Sequence, residues 1–285
     1  MDNILLPNFL GIGAERSGTT WLYNILKSHP EVYLCPFKKE INFFSYHYNK
    51  GIEWYGRYFR NEDPSISYKA IGEITPNYIY LQHNPRIIAK SLPNSRFILI
   101  LRNPVDRAIS DYKFYKLNTG ISQNFEELMR NKEEIYKKGL YTNQLKNWLE
   151  YFPKQRFLIL IYEEMVRNPL DSLKKISEFL NIDLFKFDRN IIKTKVNSSG
   201  KPRLFRLFSL SSKLVHRIST FLTKYNRDKL IGYISYFRIF FYIFGTKKKK
   251  EEIPFEIKNQ LSQKYRKDIE SLEKLLECDL KIWKN

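Results

Sequence analysis

Apolar residues along the chain occur both in short continuous runs and in longer stretches with helical spacing. The runs with the length of buried strands are Phe9–Ile12, Phe97–Leu101 and Phe157–Ile161. Helical patterns follow two of them, over Asp106–Tyr115 and Asn168–Leu180. Strands that alternate with helices pair in parallel, so the pattern predicts an α/β domain with a mostly parallel central sheet flanked by helices. Ligands of such a sheet bind beyond the carboxyl ends of its strands.

The last third of the chain has a different pattern. Residues 186–203 are predicted to form an irregular loop, and residues 204–250 a helical, aromatic and basic insertion that ends in Lys247–Lys250. Within it, the apolar run 230–245 is shorter than the ~20 residues of a spanning helix. This run is expected either to pack over the binding cleft as a helical insertion or to rest on an anionic membrane surface. A terminal amphipathic helix is predicted from apolar residues at steps of three or four, namely Ile257, Leu261, Tyr265, Ile269, Leu272 and Leu276.

The first strand leads through a glycine turn directly into a helix. The spacing Gly13-x4-Gly18-Thr19-Thr20 is close to the G-x-x-x-x-G-K-[ST] pattern of nucleotide-binding loops, but Thr19 stands where that pattern has lysine. The nearest positive charge is Arg16, inside the loop. Amides and hydroxyls over Ser17–Thr20, together with Arg16, are predicted to bind a phosphate-like group. The alternative is a strand–helix corner with hydroxyl caps.

A second candidate phosphate site follows the strand Phe97–Leu101. Arg102 closes that strand, and Ser110 lies about two turns into the next helix. A guanidinium and a hydroxyl placed in this way can bind a second phosphate. Alternatively, Arg102 is a solvated strand end, while Asp106 and Arg107 form a local ion pair or cap.

Composition narrows the choice of partners. The 285 residues can bury one large core, so one domain over 1–285 is expected. The net charge of +19 favours anionic partners such as nucleic acid, an acidic membrane or a phosphorylated or sulfated ligand, although a bias toward lysine would also produce it. The two cysteines and four histidines have no metal-ligand spacing, so no metal is expected. Without a leader-like N-terminus, a cytoplasmic protein is expected.

Several further sequence motifs occur along the chain besides the two candidate phosphate motifs. They are KKEINFF at 38–44, KGIEWY at 50–55, GEITPNY at 72–78, GLYTNQLKNWL at 139–149, SGKPR at 199–203 and a terminal helix ending in Leu280…Trp283. Together with the two phosphate motifs, they resemble the sulfotransferase family that uses 3′-phosphoadenylyl sulfate (PAPS). The resemblance is to its heparan-sulfate and N-deacetylase/N-sulfotransferase branch, and it covers nearly the whole chain except about 204–250.

The resemblance implies a role for each matching residue. Glu40 matches the general base of the family, and Arg16, at the usual lysine position, is expected to stabilise charge on the sulfonate and the leaving phosphate. The implied nucleotide-binding residues are Arg16, Ser17, Gly18, Thr19, Thr20, Trp21, Arg102, Ser110, Gly200, Lys201 and Arg203. PAPS would be the co-substrate and PAP, its desulfated form, the product.

Three positions depart from the family pattern. Arg16 keeps the positive charge of the usual lysine but not its ability to donate a proton. Ile74 stands where heparan-sulfate relatives carry a lysine, and Asn42 where some carry a histidine. The resemblance therefore predicts the chemistry more firmly than the acceptor. We expect transfer to a hydroxyl or amine of a glycan, glycolipid or small molecule, with a saccharide or glycoconjugate preferred.

Two other functions are compatible with part of the sequence. A P-loop kinase or NTPase would explain the glycine turn, but Thr19 in place of lysine and the lack of an evident Mg²⁺-binding acid argue against it. A basic nucleic-acid-binding protein would explain the net charge of +19. The charge is spread along the chain without a recognisable binding motif, so nucleic acid is not expected as a partner.

Overall fold

The computed structural model describes residues 5–60, 66–120, 122–188 and 252–284. Residues 5–188 and 253–284 within these ranges belong to one compact unit. The predicted helical insertion at 204–250, with its membrane contact at 230–250, lies outside the described residues. The same holds for the predicted nucleotide-binding residues Gly200, Lys201 and Arg203.

The centre of this unit is a sheet of five parallel strands. The strands are β1 (Phe9–Gly13), β2 (Val32–Leu34), β3 (Ala70–Ile74), β4 (Arg96–Leu101) and β5 (Phe157–Ile161). Their order across the sheet is β2-β3-β1-β4-β5, and every neighbouring pair is parallel. The predicted parallel α/β sheet is therefore confirmed, and β1 lies at its middle.

Helices connect the strands and cover the sheet. They are α1 (Thr19–Lys27), α2 (Ile52–Gly56), α3 (Asn84–Ser91), α4 (Pro104–Thr119), α5 (Phe125–Asn131), α6 (Glu133–Lys137), α7 (Tyr141–Leu149), α8 (Tyr162–Arg167), α9 (Pro169–Leu180) and α10 (Phe255–Leu276). Single turns of 3₁₀ helix occur at Tyr48–Lys50, Arg57–Phe59, Lys154–Arg156, Leu184–Lys186 and Lys281–Trp283, and a π-helical turn at Phe43–His47. None of the helices within the described ranges is long and apolar enough to cross a membrane.

Successive strand residues contribute to two apolar cores, one on each face of the sheet. Phe9 and Ile98 pack with α1 and α9, whereas Leu10 and Phe97 pack with the core that includes α4, α7 and α10. This alternation explains why the predicted strands were continuous apolar runs, because both of their faces are buried. The terminal amphipathic helix is confirmed as α10.

Two strands were not expected from the apolar pattern. β2 has only three residues, and β3 contains Gly72 and Glu73. The Gly72 backbone lies so close to the Phe9 ring that a Cβ at Gly72 would come within 2.4 Å of it. Glu73 is 2% exposed, so a carboxylate interrupts the apolar run although the strand is buried. Both residues make β3 resemble a loop in sequence.

The N-terminus of α4 also differs from the alternative expected for Asp106 and Arg107. The side chain of Asn103 caps the helix by accepting from the amides of Val105 and Asp106. Arg107 is buried and pairs with Asp111 at 3.1 Å, one helical turn away. Asp106 is exposed.

Candidate functional site

The loop of residues 14–18, called the opening loop below, joins β1 to α1. Gly18 ends it with φ of +92°, in the left-handed region that favours glycine. No side chain caps α1, so the first amides of the helix have no partner within it. This arrangement differs from the hydroxyl-capped corner considered as an alternative, and it matches the geometry of an anion site at a helix N-terminus.

The two phosphate motifs predicted from the sequence lie against each other. Arg16 Nε donates to Ser110 Oγ at 3.4 Å, and its guanidinium lies 4.3 Å from the centre of the Phe114 ring. Nη1 of Arg102 donates to the Arg16 carbonyl at 3.1 Å. The Arg102 guanidinium lies 4.6 Å from the Tyr162 ring centre. Two arginines and a hydroxyl therefore converge beside the opening loop.

Nε of Arg102, directly after β4, and Nε1 of Trp21, in the first turn of α1, are buried donors without a hydrogen-bond partner among the described residues. Trp21 is 3% exposed and belongs to the apolar core that includes α1 and α9. A buried donor without an acceptor costs about 1–3 kcal/mol. The residues present therefore fit a ligand rich in acceptor atoms, as a nucleotide phosphate is.

Lys39 lies at the start of α1, although the sequence predicted no role for it. Its Nζ lies 3.4 Å from the Thr19 hydroxyl, 3.3 Å from the Thr20 hydroxyl and 3.1 Å from Oε1 of Glu40. Its side chain is 22% exposed. Burial lowers the pKa of Lys39, against the opposing effect of Glu40. The only sequence signal was the close spacing of Lys39 to Glu40, which does not reveal the direction of the side chain.

Glu40 lies on the segment that follows β2, and its carboxylate reaches the start of α1 through Lys39. The side chain is 46% exposed. Two contacts hold the backbone that follows it: the Ile41 amide donates to Oε2 of Glu73, and Asn42 Nδ2 donates to the Glu40 carbonyl. The flanking contacts hold the exposed carboxylate near the opening loop.

Glu73 anchors this segment from the core. Its carboxylate accepts hydrogen bonds from the hydroxyls of Tyr55 (2.6 Å), Tyr78 (2.8 Å) and Thr75 (2.7 Å), in addition to the Ile41 amide (3.2 Å). Burial raises the pKa of Glu73, and these four donors oppose the rise. A buried carboxyl group with four donors fixes the positions of all of them. Glu73 therefore links the core to the segment that carries Glu40.

Asn42 and Ile74, two of the three positions that depart from the family pattern, belong to the segment after β2 and to β3. Asn42 has φ of +59° and accepts from Asn77 Nδ2 at 2.8 Å, while Ser45 donates to Asn77 Oδ1 at 2.6 Å. Ile74 is fully buried, and its side chain packs so closely on Gly11 that a Cβ there would meet it at 2.8 Å. The side chains of Asn42, Ser45, Ile74 and Asn77 are all neutral.

A sulfotransferase domain family matches residues 6–229 of the chain. The chain belongs to the sulfotransferase family. This membership confirms the resemblance inferred from the motifs, and it accounts for a helix-flanked parallel sheet with a glycine turn after its central strand.

Curated sulfotransferases share between a quarter and a third of their aligned residues with the chain. The mouse heparan sulfate glucosamine 3-O-sulfotransferase 6 is 29% identical over 245 residues, covering 78% of this chain and 70% of that protein. The Dictyostelium discoideum membrane-associated sulfotransferase kil1 is 25% identical over 309 residues, covering 75% and 65%. The bovine bifunctional heparan sulfate N-deacetylase/N-sulfotransferase 2 is 33% identical over 199 residues, covering 63% of this chain but only 22% of that protein.

Among solved structures, a sulfotransferase from Alicyclobacillus acidocaldarius superposes with a TM-score of 0.69. It covers 99% of this chain and 100% of its own, at 20% sequence identity. This likeness supports the fold.

The expectation of a cytoplasmic protein is wrong. The matched relatives include a membrane-associated sulfotransferase, so the family is not confined to the cytoplasm. The expectation rested on the lack of a leader-like pattern in the first residues, which does not decide where a member of this family works.

Proposed function

We propose that the protein transfers a sulfuryl group from PAPS to a hydroxyl or amine of a saccharide or glycoconjugate, with Glu40 as general base. The observation that carries this proposal is the chain of contacts from Glu40 through Lys39 to Thr19 and Thr20. This chain of contacts supports a role for the solvent-accessible Glu40 carboxylate close to the predicted phosphosulfate site. A base must be close to the group that is transferred, because the acceptor oxygen lies between them.

The nucleotide would be held on the other side of the opening loop. The amides at the start of α1, with Ser17, Gly18, Thr19 and Thr20, would bind the 5′-phosphosulfate, and Arg16 would stabilise its charge. Arg102 and Ser110 would bind the 3′-phosphate, supported by their contacts with Arg16. Trp21 is proposed as a further nucleotide contact, and Gly200, Lys201 and Arg203 would supply a closing loop.

In the proposed reaction, the acceptor oxygen or nitrogen attacks the sulfur while the bond from sulfur to the phosphate oxygen breaks. Glu40 takes the proton of the acceptor, and the electron pair of the broken bond stays on the phosphate. Arg16 and Lys39 provide positive charge where negative charge develops.

The neutral side chains near Glu40 favour an uncharged saccharide hydroxyl as the acceptor over a highly charged glycosaminoglycan. Asn42, Asn77 and Ser45 form a connected neutral network next to Glu40, and Ile74 supplies no charge. Amide and hydroxyl groups of this kind suit neutral hydroxyl groups, whereas sulfates and carboxylates are bound by cations. The heparan sulfate named for the relatives is thus the reference acceptor for the test.

The proposal is tested by incubating the protein with labelled PAPS and two acceptor sets, neutral oligosaccharides and heparan sulfate. We expect label on the neutral oligosaccharides, no transfer by Glu40→Gln, and little change in the PAP affinity of that variant.

The matched control is Glu53→Gln, which replaces an exposed glutamate on α2 and should retain activity. Full activity of Glu40→Gln would remove Glu40 from the mechanism. Tight Mg²⁺-dependent ATP binding without PAP binding would favour a kinase.

A further inference from the structure

The ammonium group of Lys39 lies beside the start of α1, although Lys39 is not part of the opening loop. In the nucleotide-binding pattern, a lysine directly follows the second glycine; in this chain Thr19 occupies that position. Lys39, on the segment after β2, instead places Nζ 3.4 Å from the Thr19 hydroxyl and 3.3 Å from the Thr20 hydroxyl. The helix start therefore has a lysine beside it, supplied by a different part of the sheet.

Arg16 and Lys39 are chemically different cations. A guanidinium remains protonated at all working pH values, so it stabilises charge without donating a proton. Arg16 is also directed toward α4, where it contacts Ser110 and the Phe114 ring. An ammonium group can give up its proton, and burial lowers the pKa of Lys39, which makes donation easier. The charged neighbours that act on Lys39 are Glu40, Arg16 and Glu15.

We propose that Lys39 is the proton donor to the leaving phosphate and that Glu40 returns the proton to it. This inference rests on the proposed function. As the sulfur–oxygen bond breaks, Lys39 gives a proton to the phosphate oxygen that keeps the electron pair, and becomes a neutral amine. Glu40 has meanwhile taken the acceptor proton. The contact of 3.1 Å between Lys39 Nζ and Glu40 Oε1 provides the path for the return step. The net change is movement of one proton from the acceptor to the phosphate.

The test uses PAPS with water as the acceptor, so that it does not depend on the natural acceptor. Release of PAP from PAPS is measured for the wild type, Lys39→Arg, Lys39→Ala and the neighbouring control Lys38→Met. Lys38 lies toward the Tyr58 ring, 5.9 Å from its centre. We expect Lys39→Arg and Lys39→Ala to release PAP about 100-fold more slowly, the usual contribution of a proton donor. Lys38→Met should match the wild type. Small primary amines should rescue Lys39→Ala.

The outcomes separate the two proposals. If the wild-type protein binds no PAP, the proposed function fails. If the wild type binds PAP and releases it from PAPS, but Lys39→Arg is equally fast, Lys39 acts only through its charge and the inference is overturned while the proposed function stands. Slow release by Lys39→Arg, with PAP binding retained and amine rescue of Lys39→Ala, supports proton donation.

Discussion

Arg16 Nε and Ser110 Oγ form a hydrogen bond of 3.4 Å across 94 positions of sequence. One residue comes from the turn after the central strand and the other from the second turn of α4. Their contact joins the two predicted phosphate motifs on one side of the opening loop, and the hydrogen bond from Arg102 to the Arg16 carbonyl strengthens the junction.

Replacing Ser110 by alanine should weaken PAP binding without destabilising the protein. A hydroxyl that binds a charged phosphate contributes about 1.5–3 kcal/mol, so we expect at least a roughly tenfold increase in the dissociation constant. Alanine is a better helix former than serine, so α4 itself should not suffer. Isothermal titration calorimetry with PAP measures the effect, and Ser271→Ala on α10 is the control. Equal PAP affinities for the two variants would exclude Ser110 from the nucleotide site.

Replacing Arg102 by methionine should have a larger effect on PAP affinity. The substitution removes a charged donor that is already directed into the site and keeps much of the apolar contact with the Tyr162 ring. We expect an affinity loss of about 2–3 kcal/mol. A lysine side chain cannot reproduce the planar fork of the guanidinium, so Arg102→Lys should retain only part of the affinity. The exposed Arg130→Met serves as the control in the same titration. PAP binding that is insensitive to Arg102 would exclude this residue from the nucleotide site.

Replacing Tyr55 by phenylalanine should destabilise the fold. The change removes one of the four donors to the buried Glu73 carboxyl group, at 2.6 Å. Hydrogen bonds to charged groups contribute about 1.5–3 kcal/mol, and we expect a loss of this size in the free energy of unfolding. Urea denaturation measures it, with the 40%-exposed Tyr151→Phe as the matched control. A loss no greater than that of the control would show that Glu73 does not depend on this donor.

The ion pairs of Glu31 should stabilise the folded protein at neutral pH and lose this effect in acid. Hydrogen bonds from Lys186, Lys69 and the Asp183 amide lower the pKa of Glu31 from 4.5 to about 2. Because the folded-state pKa is depressed, the stabilisation is complete above pH 4.5 and is lost as the pH falls toward 2. Melting temperatures of wild type and Glu31→Gln should therefore differ most above pH 4.5 and converge toward pH 2. The melting temperature of the exposed-site control Glu256→Gln should change with pH in the same way as that of the wild type. A difference in melting temperature between wild type and Glu31→Gln that is the same at every pH would contradict this prediction.

The secondary structure could be predicted from the sequence wherever buried elements consist of apolar runs or have regular apolar spacing. The apolar runs of β1, β4 and β5 and the spacing in α10 were visible because their neighbours are apolar too. β3 was missed as a strand because Glu73 is buried by partners that come from elsewhere in the chain, Tyr55 among them. The sequence alone does not distinguish a buried glutamate, whose hydrogen-bond donors come from distant residues, from a glutamate exposed to solvent.

The site was predictable to the extent that motifs lie on strand ends. Arg16, Arg102 and Ser110 could be grouped because the carboxyl ends of parallel strands share one edge. The contact of Lys39 with Thr19 and Thr20 could not be predicted, since it depends on the path of the segment after β2. That path is fixed by the Ile41 amide and the Glu73 carboxylate, a tertiary contact without a local signal.

The central position of β1 has a consequence for how such enzymes can diversify. The strands β3 and β4 flank it at ~4.8 Å, and the segments that carry Glu40, Asn42 and Asn77 belong to the β2–β3 half. Arg102 and Ser110 belong to the β4 half. Under the proposed function, β1 would thus lie between the residues expected to contact the acceptor and those expected to bind the 3′-phosphate. Exchange of the segments around Asn42 and Asn77 would then change the acceptor while leaving recognition of the 3′-phosphate the same.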